Sequence, residues 1–211
     1  MSVLIGGVLV AYLAGSFPTA WLAGRALGMD LGKAGSGNYG ATNVFRNLGP
    51  AAALAVLVVD VGKGFFPVFL LPRVWPAFVV DPVVHGVLLA VAAVLGHVYS
   101  VFLGFRGGKG IGTAAGAYLA LAPWAFLCAA AAWGLIVAVT RLVSLASLAG
   151  AVILLVAVAV TDFGSGMSDT VLTIATALLV IFVFWTHRAN IGRLSRGDEK
   201  RIAPGGPGRA G

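Results

Sequence analysis

The chain alternates between long apolar runs and short polar segments. A straight transmembrane helix takes about 20 mainly apolar residues. Seven runs are candidates, namely residues 3–27, 49–71, 83–103, 111–121, 124–139, 142–160 and 170–185. The pattern predicts an all-α, polytopic membrane helix bundle of about seven transmembrane helices, with five or six as the alternative count.

The fourth run is the shortest, because Pro123 follows closely after it. It either extends back into the preceding glycine-rich segment or forms a re-entrant segment. Gly112 and Gly116 lie four residues apart in this run, and small residues at that spacing let two membrane helices approach closely. We therefore expect this face of the run to contact a neighbouring helix.

Composition agrees with a lipid environment. The chain is 60% hydrophobic and only 10% charged, whereas about one quarter of a soluble domain is charged. Cys128 is the only cysteine, which excludes a disulfide framework and a cysteine-based metal site within one chain.

The distribution of charge predicts the topology. A formal net charge of +7 on a soluble protein would favour nucleic acid as the binding partner. Here the cations lie between apolar runs, so anionic lipid or anionic substrates are better candidates for binding them. No Lys or Arg precedes the first run, which therefore resembles a retained helix rather than a cleaved signal peptide. If the N-terminus is outside, every Lys and Arg except Arg73 and the intrahelical Lys63 falls on the cytoplasmic side. Residues 1–193 then form the membrane domain. Residues 194–211 are rich in Gly, Pro and Arg and form a flexible basic cytoplasmic tail.

Three polar segments fall on the predicted cytoplasmic side: residues 35–46, 105–113 and 187–193. They contain most of the polar side chains that can do chemistry. Their common side indicates one site.

The first segment contains a GxGxxG pattern at Gly35, Gly37 and Gly40. The dinucleotide fingerprint requires a preceding strand and a βαβ unit, so we reject that reading beside membrane helices. A glycine turn still lets backbone N–H groups converge on an anion. The same segment adds neutral donors and one forked cation: Ser36, Asn38, Thr42, Asn43 and Arg46.

The second segment places Lys109 among glycines, including Gly107 and Gly108. A nucleotide-binding P-loop needs Ser or Thr directly after this lysine, and the chain has Gly110 there, which argues against a nucleotide. Glycines still allow close backbone approach and lysine supplies a point charge for phosphate. The alternative is a basic loop that only sets topology.

The third segment places His187 and Asn190 three residues apart, on one face at the inner end of the last helix. The alternative is a helix C-terminus whose cations suit its dipole. Asp60 and Lys63 are one turn apart within an apolar run, where ionisable groups are either functional or a structural ion pair. For His97, a core histidine bonded to a neighbouring helix is the favoured interpretation.

Together these segments resemble the motifs of the bacterial PlsY family of acyl-phosphate:glycerol-3-phosphate acyltransferases. The resemblance rests on Gly-Ser-Gly-Asn-x-Gly-Ala-Thr-Asn at 35–43, Gly-Gly-Lys-Gly at 107–110 and His-Arg-x-Asn-Ile at 187–191. Gly-Ser-Phe-Pro at 15–18 and Asp-x-x-Lys-Gly at 60–64 are also similar. The resemblance implies a seven-helix enzyme of the bacterial inner membrane with its active site at the cytoplasmic face.

It also implies the reaction. The 1-hydroxyl of sn-glycerol 3-phosphate attacks the carbonyl of an acyl phosphate, giving lysophosphatidic acid and phosphate, the first acylation of phospholipid synthesis. Acyl-CoA, acyl carrier protein, cofactors and metals take no part. The partners expected are both substrates, membrane lipid and, as a further candidate, the soluble enzyme that makes acyl phosphate, but no nucleic acid.

The residues suit this chemistry, because both substrates carry phosphate. The expected catalytic residues are Ser36, Lys109, His187 and Asn190. The expected phosphate-binding residues are these four with Gly37, Asn38, Gly40, Thr42, Asn43, Arg46 and Gly108; Asp60, Lys63 and His97 are further candidates. The hydroxyl proton goes either to His187 or to a substrate phosphate oxygen.

Two other functions fit the sequence less well. Acyltransferases with a His-x-x-x-x-Asp motif are disfavoured, because Ala90, Phe102 and Gly192 stand five positions after the three histidines. A transporter of a small phosphorylated anion is the non-enzyme alternative, suited by glycine-broken polar segments and an intramembrane charge pair. Against it, the polar groups gather on one side and no inverted repeat is evident.

Overall fold

The structure is a computed structural model that describes residues 2–77, 80–162 and 167–202. The described part is helical and contains no strand, which confirms the predicted all-α class. The helices are α1 Ser2–Ser16, α2 Thr19–Ala26, α3 Ala41–Leu48, α4 Pro50–Val74, α5 Pro82–Val98, α6 Ile111–Leu121, α7 Pro123–Thr140, α8 Val143–Asp162, α9 Met167–Thr186 and α10 Arg188–Arg196. A single 3₁₀ turn, Val101–Leu103, follows α5.

Five segments of the described chain are long and apolar enough to cross a membrane: Ser2–Ala26, Pro50–Val74, Pro82–Leu103, Pro123–Thr140 and Val143–Thr161. A sixth counts if α9 and α10 form one broken span. The remaining apolar helix is α6, with 11 residues. The predicted membrane bundle is confirmed, while the number of about seven depends on α6 and α9 and stays a prediction.

The outer surface of the bundle is apolar. Leu135, Val139 and Ile181 are 67%, 74% and 66% exposed, and many other large aliphatic side chains share this exposure. A water-soluble monomer rarely presents such continuous apolar surface. The helices therefore bury small and polar residues inward and turn their large aliphatic side chains toward lipid.

Proline breaks the first apolar run. Pro18 lacks an N–H and disfavours helical geometry in Phe17, so the run divides into α1 and α2. The Phe17 carbonyl, freed by this break, accepts a hydrogen bond from Lys63 Nζ at 3.0 Å. The break thus gives a buried cation of α4 a partner on a neighbouring element.

The predicted glycine contact of the fourth run is present. A methyl group added at Gly116 would collide with the Val61 carbonyl of α4, and one added at Gly64 would collide with the Thr113 carbonyl of α6. The two backbones therefore touch at both glycines, which lets the short α6 pack firmly. This packing fixes the segment before α6, which contains Lys109.

The first part of the C-terminal segment is packed against the bundle, whereas the sequence predicts a flexible tail. Helix α10 continues past residue 193 to Arg196, and Glu199 is 8% exposed. The backbone N–H of Ile202 donates to the Arg141 carbonyl at 2.9 Å. Residues 194–202 therefore pack on the α7–α8 end of the bundle, where Glu199 has buried partners. The rest of the predicted tail, residues 203–211, lies outside the described residues.

Candidate active site

The three polar segments meet in one pocket of about 320 Å³ at one end of the bundle. The predicted residues that line it are Ser36, Asn38, Gly40, Thr42, Asn43, Arg46, Asp60, His97, Lys109, His187 and Asn190. Gly37, Gly108 and Lys63 do not line this pocket; Gly108 and Lys63 lie around a small adjacent cavity. Segments distant in sequence thus form one chamber.

Asn43 shapes the first segment. Its Oδ1 accepts a hydrogen bond from the Ser36 N–H at 3.0 Å, and its Nδ2 donates to the carbonyls of Leu31 and Ala34 at 3.3 and 3.2 Å. Asn43 is 2% exposed. Because its amide is occupied by the loop backbone, Asn43 positions Ser36 rather than offering a free donor to a ligand.

The first and second segments are joined directly. Asn38 Nδ2 donates to the Gly107 carbonyl at 3.4 Å, and the Gly108 N–H donates to the His97 carbonyl at 3.1 Å. A methyl group added at Gly107 would collide with the His97 carbonyl, and one at Gly108 would collide with the His97 ring. These glycines let the loop lie flat on α5, which places the adjacent Lys109 in the pocket.

His97 differs from the favoured sequence interpretation. Its ring is buried, yet Nδ1 has no hydrogen-bond partner among the described residues. The nearest charged atom is Asp60 Oδ1 of α4, at 3.8 Å from Nδ1. His97 therefore supports the Lys109 loop through its backbone carbonyl and through close packing of its ring against Gly108, rather than through a side-chain hydrogen bond.

Asp60 and Lys63 form a buried ion pair. Lys63 Nζ lies 2.8 Å from Asp60 Oδ1, and the side chains are 8% and 5% exposed. Lys63 also bonds the Phe17 carbonyl described above. This geometry favours the structural alternative for Lys63, whereas Asp60 also lines the pocket.

A polar chain crosses the pocket from Lys109 to Glu199. The Lys109 amine donates to Asn190 Oδ1, and Asn190 Nδ2 donates to Glu199 Oε1 at 2.7 Å. The other carboxylate oxygen, Oε2, accepts from Arg193 Nε at 2.7 Å. Ser144 Oγ of α8 donates to Oε1 at 2.9 Å.

Sequence reasoning missed Glu199 because it assigned the residue to the tail. The available signal was an acidic residue set among basic ones, close after the third motif. Burial alone would raise the pKa of Glu199, but hydrogen bonds from Asn190, Arg193 and Ser144 outweigh it and lower the pKa. Glu199 is therefore ionised near neutral pH.

Lys109 has a strongly altered ionisation. Burial lowers its pKa to about 8, Glu199 opposes this shift, and the charges of Arg193 and Arg46 add to it. Burial disfavours the charged ammonium, and neighbouring cations do the same. Lys109 is mostly protonated at pH 7 and loses its charge as the pH rises through about 8.

Arg46 of α3 faces the same pocket. One terminal nitrogen donates to the Lys200 carbonyl at 2.6 Å. Its Nε is buried without a hydrogen-bond partner among the described residues. An unsatisfied buried N–H is costly, and an anion bound in the pocket is the natural partner for it.

His187 lies between α9 and α10, whose axes differ by 62°. The sequence prediction of one continuous last helix is therefore wrong. Helix α10 carries three arginines, which the membrane interior would not accept without partners, and the bend directs it away from the axis of α9. His187 and Asn190 still line the same pocket.

The His187 ring has a defined tautomer. Because a carbonyl only accepts, Nδ1 must donate to the Val183 carbonyl, 2.8 Å away, and Nε2 of the neutral ring is left as an acceptor. Burial, followed by the charge of Lys109, lowers the pKa of His187 to about 4. The ring is neutral at pH 7 and is a weak base.

The opposite wall of the pocket is apolar. Leu54 and Leu57 of α4, Ile111 of α6, Trp133 of α7 and Val143 of α8 form it. The chamber therefore combines cations and amides with a hydrocarbon surface. Such a site suits a ligand that has both a phosphate and an aliphatic chain.

Comparison with known proteins agrees with this chemistry. The sequence model of the family described as "Glycerol-3-phosphate acyltransferase" matches residues 5–197. A glycerol-3-phosphate acyltransferase of Anaeromyxobacter sp. (strain Fw109-5) is 43% identical over 202 residues, which cover 94% of this chain and 97% of the relative. The corresponding enzyme of Geobacter sulfurreducens is 43% identical over 193 residues, covering 92% and 94%.

Solved structures are also similar. The crystal structure of PlsY, an integral membrane glycerol 3-phosphate acyltransferase in its glycerol 3-phosphate form, superposes with a TM-score of 0.85 at 34% identity, covering 95% of this chain and 96% of that one. The lysophosphatidic acid form of that protein gives a TM-score of 0.82 at the same identity.

Proposed function

The chain belongs to the glycerol-3-phosphate acyltransferase family, and we propose that its acyl donor is an acyl phosphate. The enzyme is an integral membrane acyltransferase that acylates glycerol 3-phosphate. The proposed acceptor atom is the 1-hydroxyl, and the proposed products are lysophosphatidic acid and inorganic phosphate. The observation that supports the donor is a pocket in which cationic and amide side chains share the lining with apolar ones.

In the proposed reaction, the glycerol hydroxyl oxygen attacks the carbonyl carbon of the acyl phosphate. A carboxylic ester C–O bond forms, and the bond between the carbonyl carbon and the phosphate oxygen breaks. Inorganic phosphate leaves with that electron pair and takes up the hydroxyl proton. Because the mixed anhydride is already activated, no protein nucleophile is needed.

Charge in the pocket supports binding of both phosphates. Arg46, Lys109 and Arg193 are the cations on its wall. Arg46 has a free Nε–H, and the Ser36 loop contributes neutral donors. A hydrogen bond to a charged group contributes about 1.5–3 kcal/mol, and holding two reactants together removes much of the entropic barrier. Lys109 also stabilises charge that develops on the departing phosphate.

His187 acts as an orienting acceptor in this proposal. Its Nε2 can accept a hydrogen bond from the attacking hydroxyl and align the oxygen with the carbonyl carbon. A base with a pKa of about 4 removes an alcohol proton poorly at pH 7. A phosphate oxygen of a substrate is therefore the better proton acceptor.

The placement in the membrane follows from the distribution of charge. We propose that the N-terminus is outside and that the pocket opens at the cytoplasmic face of the bacterial inner membrane. The three motif segments and the basic α10 then share one compartment with water-soluble glycerol 3-phosphate. The acyl chain can stay in or near the hydrocarbon layer, beside Leu54 and Leu57.

The test uses purified protein in detergent with glycerol 3-phosphate and one of two donors, palmitoyl phosphate or palmitoyl-CoA. Phosphate release is measured colorimetrically and lysophosphatidic acid by mass spectrometry. We expect phosphate and lysophosphatidic acid in equal amounts when the donor is palmitoyl phosphate, and neither product when the donor is palmitoyl-CoA. Turnover only with palmitoyl-CoA, or no turnover with either donor, would refute the proposal; a transporter would give neither product.

A further inference from the structure

Glu199 is a buried carboxylate in a pocket expected to bind anions. It lies close to the groups that the proposed reaction needs positively charged. We propose that Glu199 is a positioning residue, which fixes the orientation of the Asn190 amide and keeps Lys109 protonated for phosphate binding. The proposal rests on the function proposed above and assigns a role to a residue outside the three motifs.

The two neighbours of the Asn190 amide fix its orientation. An ammonium group can only donate hydrogen bonds, and an ionised carboxylate can only accept them. Asn190 lies between the two, with Oδ1 accepting from Lys109 and Nδ2 donating to Glu199. Only one amide orientation satisfies both neighbours. If Glu199 loses its charge, Nδ2 loses its carboxylate acceptor, and only the contact with Lys109 still selects this orientation.

The charge of Glu199 also stabilises the protonated form of Lys109. Lys109 shares the pocket with other charged or titratable groups, and the complete set on its wall is Arg46, Asp60, His97, His187, Arg193 and Glu199. Arg46 and Arg193 disfavour the protonated amine, whereas Glu199 favours it. Removing the Glu199 charge therefore lowers the pKa of Lys109 further, and the ammonium form is lost at a lower pH.

Glu199 itself is held in place. Ser144 of α8 and Arg193 of α10 both donate to its carboxylate. Its neighbour Lys200 is held through its carbonyl by Arg46, and Ile202 is held by the Arg141 carbonyl. The carboxylate is therefore held from several elements, which gives the Asn190 amide a fixed acceptor and keeps the negative charge in the same pocket as Lys109.

The test compares Glu199→Gln with Asp198→Asn. Both substitutions remove one negative charge from the same segment, but the Asp198 side chain is 64% exposed and pairs with Arg196 at 3.2 Å, outside the pocket. The readout is kcat/KM against pH from 6 to 10 with palmitoyl phosphate and glycerol 3-phosphate. Thermal unfolding in detergent checks that each variant is folded.

For Glu199→Gln we expect the alkaline limb of kcat/KM to move about one pH unit toward lower pH, the effect of removing one nearby opposite charge. KM for glycerol 3-phosphate should rise several-fold. Asp198→Asn should keep the wild-type limb and KM. A folded Glu199→Gln enzyme with the wild-type limb would overturn the inference, as would an equal shift in Asp198→Asn.

If Glu199→Gln does not fold, Glu199→Asp provides the test, because it keeps the charge but withdraws the carboxylate by one methylene. We expect a raised KM and an unchanged alkaline limb; a wild-type KM or a shifted limb would overturn the inference. If the wild-type enzyme is inactive with palmitoyl phosphate, the proposed donor is refuted. A failure of the proposed donor can therefore be distinguished from a failure of the role proposed for Glu199.

Discussion

Replacing Lys109 by methionine removes a buried charge while keeping a side chain of similar length. Lys109 is the only residue of the second segment that brings an ammonium group into the pocket. A charge-assisted hydrogen bond to phosphate contributes about 1.5–3 kcal/mol. Since about 1.36 kcal/mol is a factor of ten, we expect kcat/KM to fall about 10- to 150-fold.

The assay is steady-state acyl transfer from palmitoyl phosphate, with KM and kcat for glycerol 3-phosphate measured separately. An increase in KM alone would mean that Lys109 binds ground state and transition state equally, and a fall in kcat would place its contribution in the transition state. The matched control is Lys33→Met, because that side chain is 88% exposed and lies 3.8 Å from Asp30. Activity of Lys109→Met within about threefold of Lys33→Met, with both proteins folded, would show that the Lys109 ammonium does not bind a substrate phosphate.

Three further changes test other parts of the structure. Arg46→Gln should raise KM for glycerol 3-phosphate about tenfold or more, since it removes the unsatisfied Nε–H; an unchanged KM would count against it. His187→Asn should keep measurable turnover, because an orienting hydrogen bond can be partly replaced; complete loss with both substrates still bound would contradict this. Gly116→Ala should lower the free energy of unfolding by about 1–3 kcal/mol, because its methyl group collides with α4. Gly134→Ala is the control, since Gly134 has open space around it. Equal unfolding temperatures for the two variants would disprove the α4–α6 contact.

Most of the fold could be predicted from hydrophobicity, because the bilayer imposes both length and polarity on a helix. The predicted run 111–121 coincides with α6, Ile111–Leu121, and the run 142–160 agrees with α8, Val143–Asp162, to about two residues at each end. The bend at His187 could not be predicted in this way. Hydropathy falls where α9 gives way to α10, but that fall indicates only that the apolar run ends and not that a second helix begins at an angle, and no proline or glycine stands at the bend.

The convergence of the site could also be predicted, since three polar segments fall on one side of the predicted bundle. Hydropathy does not indicate which hydrogen-bond or ion-pair partner each side chain has. Asn43 looked like a ligand donor, but its amide is occupied by the backbone of the loop. Glu199 looked like part of a solvated tail, although its burial is compensated by three donors whose positions depend on tertiary contacts.

The positive charge of this chain therefore has two separate consequences. Exposed cations such as Lys33 can orient the protein in the membrane through their number alone, because the positive-inside effect depends on how many there are. Lys109 and Arg46 are different, since burial lowers the pKa of each, and folding must therefore compensate for keeping them charged. A buried cation next to a fixed carboxylate is poorly explained by topology, but it is what a site needs in order to bind a phosphate and release it again.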